Sequence, residues 1–239
     1  FEPIGDATTA LTGTFNGSDH TISGLTIDRS TEESVGLFGY VDGGVVENVG
    51  VENADITGNR YVGGLVGQSV GGSTVTDSSV TGSVTGTRGE FSDVGGLVGY
   101  NAGTVTKSSA NGSIDGSGDV GGLVGCNAVG GTVTDSSATG SVDGSNQNVG
   151  GLVGFNNGTV TESATTGDVS GNTDVGGLAG ENDAGTVTDS SATGSVTGDR
   201  YVGGLVGNND AGTVTSSSAT GSVTGTSGEF SDAGGLVGY

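Results

Sequence analysis

Apolar and polar positions follow one repeating phrase along almost the whole chain. The string Gly-Gly-Leu-Val-Gly occurs six times, with two looser variants, and the central leucines are 26 to 32 residues apart. These leucines are Leu37, Leu65, Leu97, Leu123, Leu152, Leu178, Leu205 and Leu236. A fixed repeat of this length is the sequence signature of a repeat architecture, so the repeat decides the fold prediction.

Each repeat contains three short segments of strand-like composition: V-G-G-L-V-G, G-T-V-T and A-T-G-S-V. Thr and Val favour strands, whereas Gly clusters mark corners. No segment of a dozen residues shows helical periodicity. The pattern predicts an all-β fold, a parallel β-solenoid (β-helix) of about eight coils with three short strands per coil. A right-handed coil is taken by analogy.

Stacking explains why such small side chains suffice for a core. One coil cannot bury its own apolar face, but coils stacked at ~4.8 Å bury it against each other. We therefore expect ladders of equivalent leucines and of equivalent valines such as Val75, Val105 and Val133. Residues 1–33 are interpreted as a lead-in coil and 34–239 as one continuous rod. Because the pattern starts and stops within a coil, we interpret the chain as a processed product or a fragment.

Composition limits the setting and the partners. The 239 residues include 54 Gly, one Pro and one Cys, and 27 acids against 5 bases give a net charge of −22. Nucleic acids and anionic lipids are therefore disfavoured partners. No apolar run of about 18 residues predicts a membrane span. At molar salt the Debye length falls to ~3 Å, so the charge suits a halophile; an ordinary acidic secreted protein is the alternative.

A five-coil super-repeat gathers positive charge and aromatic rings. Residues 58–67 closely match 198–207, and 89–93 recur as 228–232. Stacking is expected to bring Tyr61 near Phe91. The predicted patch, for glycans or proteins, comprises Arg60, Tyr61, Glu90, Phe91, Asp93, Arg200, Tyr201 and Phe230. The alternative is an aromatic pair that closes its own corner while Arg neutralises local acids.

A row of acids follows the Thr-Val-Thr phrase at one position of successive coils. Its acidic members are Asp77, Asp135, Glu162 and Asp189. Lys107 and Ser216 interrupt the row. Stacked carboxylates repel each other unless they are screened or bridged by a hard cation such as Ca²⁺. A Ca²⁺ site at Asp135, Glu162 and Asp189 is one interpretation, and a solvated acidic face is the other. No other cofactor is expected.

Other motifs carry weaker hypotheses. Thr-Val-Thr occurs six times, and outward threonines on both sides of each inward valine resemble the flat array of ice-binding solenoids. An exposed strand face would also favour threonine. Glycosylation sequons begin at Asn16, Asn111 and Asn157. Cys126 occupies the coil position of Tyr100 and Phe155, and is interpreted as a tolerated substitution.

The Gly-Leu-Val-Gly copies resemble the GLUG repeat family. The opening Gly13-Thr14-Phe15-Asn16-Gly17, followed by His20-Thr21-Ile22-Ser23-Gly24, is similar to the lead-in that often precedes such repeats. The resemblance covers nearly the whole chain. It implies a secreted or surface-attached prokaryotic protein, often an adhesin or a non-catalytic part of a larger one. The family motif carries no catalytic residues, so none are transferred.

Three function classes follow. The first is a non-catalytic extracellular rod with a structural or adhesive role at the cell surface, contacting glycans or proteins. The second is the subunit of a filament that grows by end-to-end association. The third is a β-helical enzyme of the lyase or glycosidase type, which we reject because catalytic acids need basic or imidazole neighbours. The chain has one Lys and one His.

Overall fold

The computed structural model describes residues 1–89, 91–227 and 231–239. These residues form strands, turns and bends, and none of them is helical. The described residues therefore contain no helix that is long and apolar enough to cross a membrane. In chain order the strands are β1 (Thr14–Ser23), β2 (Thr26–Arg29), β3 (Phe38–Asp42), β4 (Val45–Gly58), β5 (Tyr61–Gly63), β6 (Val66–Val70), β7 (Thr74–Thr76), β8 (Ser79–Gly86), β9 (Asp93–Gly95), β10 (Val98–Asn101), β11 (Thr104–Thr106), β12 (Ser109–Gly116), β13 (Asp119–Gly121), β14 (Val124–Asn127), β15 (Thr132–Thr134), β16 (Ser137–Ala138), β17 (Val142–Gly144), β18 (Val149–Gly150), β19 (Val153–Asn156), β20 (Thr159–Thr161), β21 (Ala164–Thr165), β22 (Val169–Ser170), β23 (Val175–Gly176), β24 (Ala179–Asn182), β25 (Thr186–Thr188), β26 (Ser191–Ala192), β27 (Val196–Gly198), β28 (Tyr201–Gly203), β29 (Val206–Asn208), β30 (Thr213–Thr215), β31 (Ser218–Ala219), β32 (Val223–Gly225) and β33 (Asp232–Gly234).

The strands form three parallel sheets that run along the solenoid. Sheet A contains β3, β6, β10, β14, β19, β24 and β29; sheet C contains β5, β9, β13, β18, β23, β28 and β33; sheet B contains the other nineteen strands. Each strand pairs with its equivalent one coil away. The predicted all-β parallel solenoid of about eight turns is thereby confirmed.

Identical side chains stack on each other in successive coils. Val105 pairs in register with Val75 on one side and with Val133 on the other. The leucines from Leu37 to Leu205 are buried, and so are the equivalent valines Val75, Val105, Val133, Val160 and Val187. Leu236, in the last coil of the chain, is 42% exposed. The predicted ladders are therefore the observed core.

The V-G-G-L-V-G segment is not one strand but two strands joined by a bend. In one coil Val120 and Gly121 belong to sheet C, Val124 belongs to sheet A, and the buried Leu123 lies between them. The backbone stays paired through this bend, since Leu123 N donates to the Leu152 carbonyl at 2.9 Å. A Cβ at Gly122 would overlap the carbonyl oxygen of Gly151. The paired glycines are thus required by close backbone approach between coils.

Two ladders of buried polar side chains accompany the apolar core. The Asn101 amide donates to Asn127 Oδ1 at 2.9 Å, and the pattern continues through Asn156 and Asn182 to Asn209. At the corner after Thr-Val-Thr, Ser108 N donates to Ser136 Oγ at 3.2 Å. Each ladder satisfies polar groups that the corners bury.

The first residues stack on the coil that follows them. Ile4 and Leu11 form parallel bridges to Phe38 and Val41, and β1 pairs with β4. The Phe15 and Phe38 rings pack edge to face, with centroids 5.0 Å apart. The lead-in segment therefore covers one end of the leucine ladder.

Candidate ligand groove

A groove follows the outside of the solenoid where the chain bends between sheets C and A. Its volume is about 410 Å³. Side chains from sheet C and its flanks face side chains from sheet A across it. The lining residues are Arg60, Phe91, Asp93, Asp119, Cys126, Gln147, Asn148, Phe155 and Glu181. We call this the acidic groove.

Strand register sets the order of the side chains along the acidic groove. On sheet C, Asp93 pairs with Tyr61 on one side and with Asp119 on the other. On sheet A, Cys126 pairs with Tyr100 and with Phe155. Two columns of outward-facing residues, one on each sheet, therefore form the walls.

The floor of the groove holds two carboxyl groups beside a thiol. Asp93 and Asp119 each offer one carboxylate oxygen as a metal ligand, and Cys126 offers its sulfur. These three atoms all lie within 4.8 Å of one another. Burial raises the pKa of Asp93 to about 8; the nearby Asp119 adds to this rise and Arg60 opposes it. Burial also raises the pKa of Asp119 to about 6. Asn148 Nδ2 donates a hydrogen bond to this carboxylate at 2.9 Å, which lowers the pKa and opposes part of the rise. These carboxyls are therefore poorly hydrated and incompletely compensated.

The neighbouring groups show the same desolvation. Burial, with Asp174 and Asp119 nearby, raises the pKa of Glu181 to about 7. Burial raises the pKa of Asp174 to about 6, opposed by Arg200. The thiol of Cys126 has a strongly raised pKa, chiefly because it is buried. At neutral pH this thiol is protonated and is not a nucleophile.

An arginine–tyrosine stack adjoins the groove, and an equivalent stack lies further along the solenoid. The Arg60 guanidinium lies 4.6 Å from the centroid of the Tyr61 ring, which also packs edge to face with Tyr100 at 5.7 Å. Five coils further on, Arg200 lies 4.6 Å from the centroid of the Tyr201 ring. Such contacts contribute roughly 0.5 to 1 kcal/mol at exposed sites. Five steps of ~4.8 Å place the two stacks about 24 Å apart.

The structure brings together part of the predicted patch. Arg60, Phe91 and Asp93 line one groove, and Tyr61 adjoins it through its pairing with Asp93. The Tyr61 ring packs edge to face on the ring of Tyr100. Phe91, which coil stacking was expected to bring near Tyr61, lines the groove with Arg60 and is 67% exposed. The bend between sheets, which the sequence reading treated as one strand, places Tyr100 there.

The second copy of the patch is described in part. Arg200 Nη2 donates to Tyr201 Oη at 2.8 Å, and the Tyr201 ring packs against Tyr239 with centroids 4.8 Å apart. Glu90 and Phe230 of the predicted patch lie outside the described residues.

The acidic row after Thr-Val-Thr occupies a left-handed corner. Asp135, Glu162 and Asp189 have φ of 48°, 50° and 49°, and all three are exposed. Lys107 and Ser216 hold the same conformation at their positions. Within the described part of the chain, the row does not bring three ligating groups together as the groove floor does. Calcium binding by this row remains a prediction.

The three sequon asparagines differ in accessibility. Asn111 is exposed. Asn16 is also exposed, but its amide donates to Glu47 Oε1 at 2.7 Å. Asn157 is half-buried and donates to Asp183 Oδ2 at 3.4 Å. Glycosylation at these positions remains a prediction.

Sequence reasoning missed Asp119, Asn148 and Glu181 as groove residues. It did place Cys126 in one column with Tyr100 and Phe155, as the register shows. The missing signal was the bend at Leu123, which turns one segment into two facing walls. The paired glycines before each leucine mark that bend.

The repeats belong to a known family. The family described as "The GLUG motif" matches residues 58–85, 92–115, 116–143, 171–197 and 198–224, more than half of the chain. The chain belongs to the GLUG-motif family. These five GLUG matches each include one sheet C strand, one bend and one sheet A strand, so the motif corresponds to one wall-forming unit of the groove.

One curated relative is similar to part of these GLUG repeats. It is "Halomucin" from Haloquadratum walsbyi (strain DSM 16790 / HBSQ001), 47% identical over 116 residues, or 46% of this chain. The chain spans about 1% of the length of that relative. No solved structure matches the chain. The GLUG repeats and this relative indicate a cell-surface or secreted repeat protein from a halophile.

Proposed function

We propose that the chain is a non-catalytic structural segment of an extracellular protein, a stiff acidic rod displayed at the surface of a halophilic cell. The observation that carries the proposal is that equivalent side chains of successive coils stack in register through about eight turns. Because each coil contacts only its neighbours, stiffness and length come from repetition.

The charge distribution supports a saline setting. Two ion pairs, Arg29–Glu32 and Arg88–Glu33, connect side chains of the described residues. Most of the 27 acids therefore depend on solvent ions for compensation. In the cytoplasm of an ordinary cell such a rod would carry strong self-repulsion.

Surface display is tested on intact cells of the organism that produces the chain. Antibodies against the purified chain should label unpermeabilised cells or the surrounding matrix. A cytoplasmic protein labelled in parallel is the control for cell integrity. Labelling that appears only after permeabilisation would contradict the proposal.

An adhesive role would use the acidic groove. Tyrosine rings beside carboxylates offer flat apolar contacts together with acceptors for hydroxyl and ammonium donors. We expect the groove to favour neutral or amino glycans over sulfated ones, because its floor repels anions. A glycan array with wild type and with the double variant Tyr61→Ala, Tyr201→Ala tests this, and Thr134→Ala on sheet B is the control. Unchanged binding by the double variant would remove the groove from the adhesive role.

End-to-end association is the alternative that repetition favours. Each coil edge within the solenoid pairs with the same edge of the next coil, so an open edge would be a template for a second copy of the chain. Electron microscopy of the purified chain in molar salt distinguishes filaments of uniform width from single rods. Single rods at all protein concentrations would exclude the filament.

Ice binding is a further prediction from the threonine rows. Thr104 and Thr106 pair in register with Thr132 and Thr134, which gives two parallel rows on sheet B. These threonines are half-buried. A thermal-hysteresis measurement without any effect on ice growth would dispose of this alternative.

A further inference from the structure

The floor of the acidic groove contains a set of metal-ligating atoms that no part of the rod's structural role explains. Asp93 and Asp119 stand side by side on the paired strands β9 and β13, and Cys126 faces them from β14. All three ligand atoms lie within 4.8 Å of one another. Within the described part of the chain, this is the one place where three such groups meet.

The thiol is the second observation that points to a ligand. Cys126 is only 8% exposed and unpaired with another cysteine. Among the described residues its sulfur has no hydrogen-bond partner, although it faces two carboxyl groups. The sheet A positions on either side hold the large rings of Tyr100 and Phe155. The small side chain of Cys126 therefore leaves space directly above the two carboxyls.

We propose that Asp93, Asp119 and Cys126 bind a divalent transition-metal ion, of which Zn²⁺ fits best. A thiolate selects Zn²⁺ over Ca²⁺ and Mg²⁺, which prefer all-oxygen sites. Carboxylate oxygens and a thiolate are both ordinary ligands of tetrahedral Zn²⁺. Three protein ligands leave the fourth position open toward the groove for water or for a ligand donor.

Surrounding groups hold the set in place. Asn148 Nδ2 donates to Asp119 Oδ1 at 2.9 Å and orients that carboxylate, as outer-shell partners of metal ligands do. Arg60 lines the same groove and opposes a bound cation, but its guanidinium lies over the Tyr61 ring. Two carboxylates and one thiolate carry three negative charges against this one positive charge.

Metal binding must displace protons. A cysteine coordinates a metal ion as a thiolate, so the Cys126 thiol loses its proton when the metal binds, and affinity increases with pH. Proton release distinguishes this site from diffuse ion binding at the exposed acids.

The test uses the full chain, reduced and freed of metal, in 2 M NaCl to suppress diffuse binding. Titration calorimetry with ZnCl₂ should give one site per chain, with a heat that depends on the buffer's ionisation enthalpy. With CoCl₂, a near-ultraviolet thiolate-to-metal charge-transfer band should appear. No stoichiometric Zn²⁺ binding, or a Co²⁺ complex without that band, would overturn the proposal.

Variants locate the site. Cys126→Ser and Asp119→Asn should each weaken Zn²⁺ binding by ~100-fold or more, because even loss of an outer-shell partner costs 10 to 100-fold. Asn148→Ala should weaken it by ~10-fold. Asp115→Asn, which removes an exposed acid outside both candidate metal sites, is the matched control and should leave the affinity unchanged. Circular dichroism confirms the fold of each variant. If Zn²⁺ affinity persists in Cys126→Ser, or falls as much with Asp115→Asn, the site is not the one proposed.

Discussion

Asn127 donates from Nδ2 to Oδ1 of Asn156 at 2.8 Å, and both side chains are fully buried between sheet A and the next corner. Asn156 in turn donates to Asn182 Oδ1 at 2.7 Å. Each interior amide of the ladder therefore donates to the amide of one neighbouring coil and accepts from that of the other. A break at one position removes the amide acceptor of one buried Nδ2 and the amide donor to one buried Oδ1.

Replacement of Asn156 by Ala is expected to destabilise the chain by about 1 to 3 kcal/mol for each group left unsatisfied. Urea unfolding followed by circular dichroism measures the loss. Asn157→Ala is the matched control, because that half-buried side chain makes one hydrogen bond of 3.4 Å. Equal losses in the two variants would mean that the ladder contributes nothing specific.

A methyl group at Gly122 should be far more harmful than a methyl group at Gly13. The Cβ at position 122 would overlap the Gly151 carbonyl, whereas Gly13 has open space around it. Gly122→Ala must force two coils apart and is expected to cost about 3 kcal/mol or more. Gly13→Ala should be neutral or slightly stabilising. Melting temperatures of the two variants, measured together, check the contrast.

Stability of the metal-free chain should fall as pH rises from about 4 to about 8. The pKa of Asp93 is raised from 3.8 to about 8, and that of Asp119 from 3.8 to about 6. In that window the folded state binds more protons than the unfolded state, so each pH increase favours unfolding. The contribution is complete below pH 4 and is lost by pH 8. Denaturation midpoints at constant molar salt measure the slope.

Asp93→Asn should remove a large part of this slope. At pH 8 the variant is expected to be more stable than wild type by roughly 1 to 3 kcal/mol, because the amide has no buried charge to accommodate. At pH 4 the two should be similar. Asp115→Asn, an exposed acid on β12, is the control for the general loss of one negative charge. An unchanged slope in Asp93→Asn would show that this carboxyl is hydrated in solution.

Salt should stabilise the chain strongly. Raising NaCl from 0.1 M to 3 M shortens the Debye length from ~10 Å to below ~3 Å and screens the net charge of −22. We expect a large increase in melting temperature. A variant with Asp77, Asp135, Glu162 and Asp189 replaced by Asn or Gln should show a smaller increase. The same increase in both would assign the effect of salt to apolar burial instead.

The sequence predicted the fold because repetition fixes register. Once Val105 is known to be equivalent to Val75 and Val133, only one stacking satisfies all the ladders at once. Shifting one coil by one residue would turn every valine outward. The parallel stacking of coils and its register were therefore accessible from the sequence, whereas the division of V-G-G-L-V-G between sheets C and A was not.

The groove was less accessible, because it depends on a bend within a segment that reads as one strand. With Gly122 and Leu123 treated as strand interior, Cys126 and Asp93 appear on unrelated positions. The asparagine ladder was missed for a related reason: Asn is common in turns, and nothing in its composition distinguishes a buried Asn127 from an exposed Asn157. Burial at a corner is a property of the assembled coils.

The recurrence of the Arg–Tyr stack has a consequence for avidity. Arg60–Tyr61 and Arg200–Tyr201 lie on one face of a stiff scaffold, separated by ~24 Å at ~4.8 Å per coil. A polymer long enough to reach both stacks would meet the second at a high effective concentration once it had bound the first. Weak individual contacts would then add up to durable attachment. The spacing between the duplicated coils would set how long a polymer must be to bind both stacks.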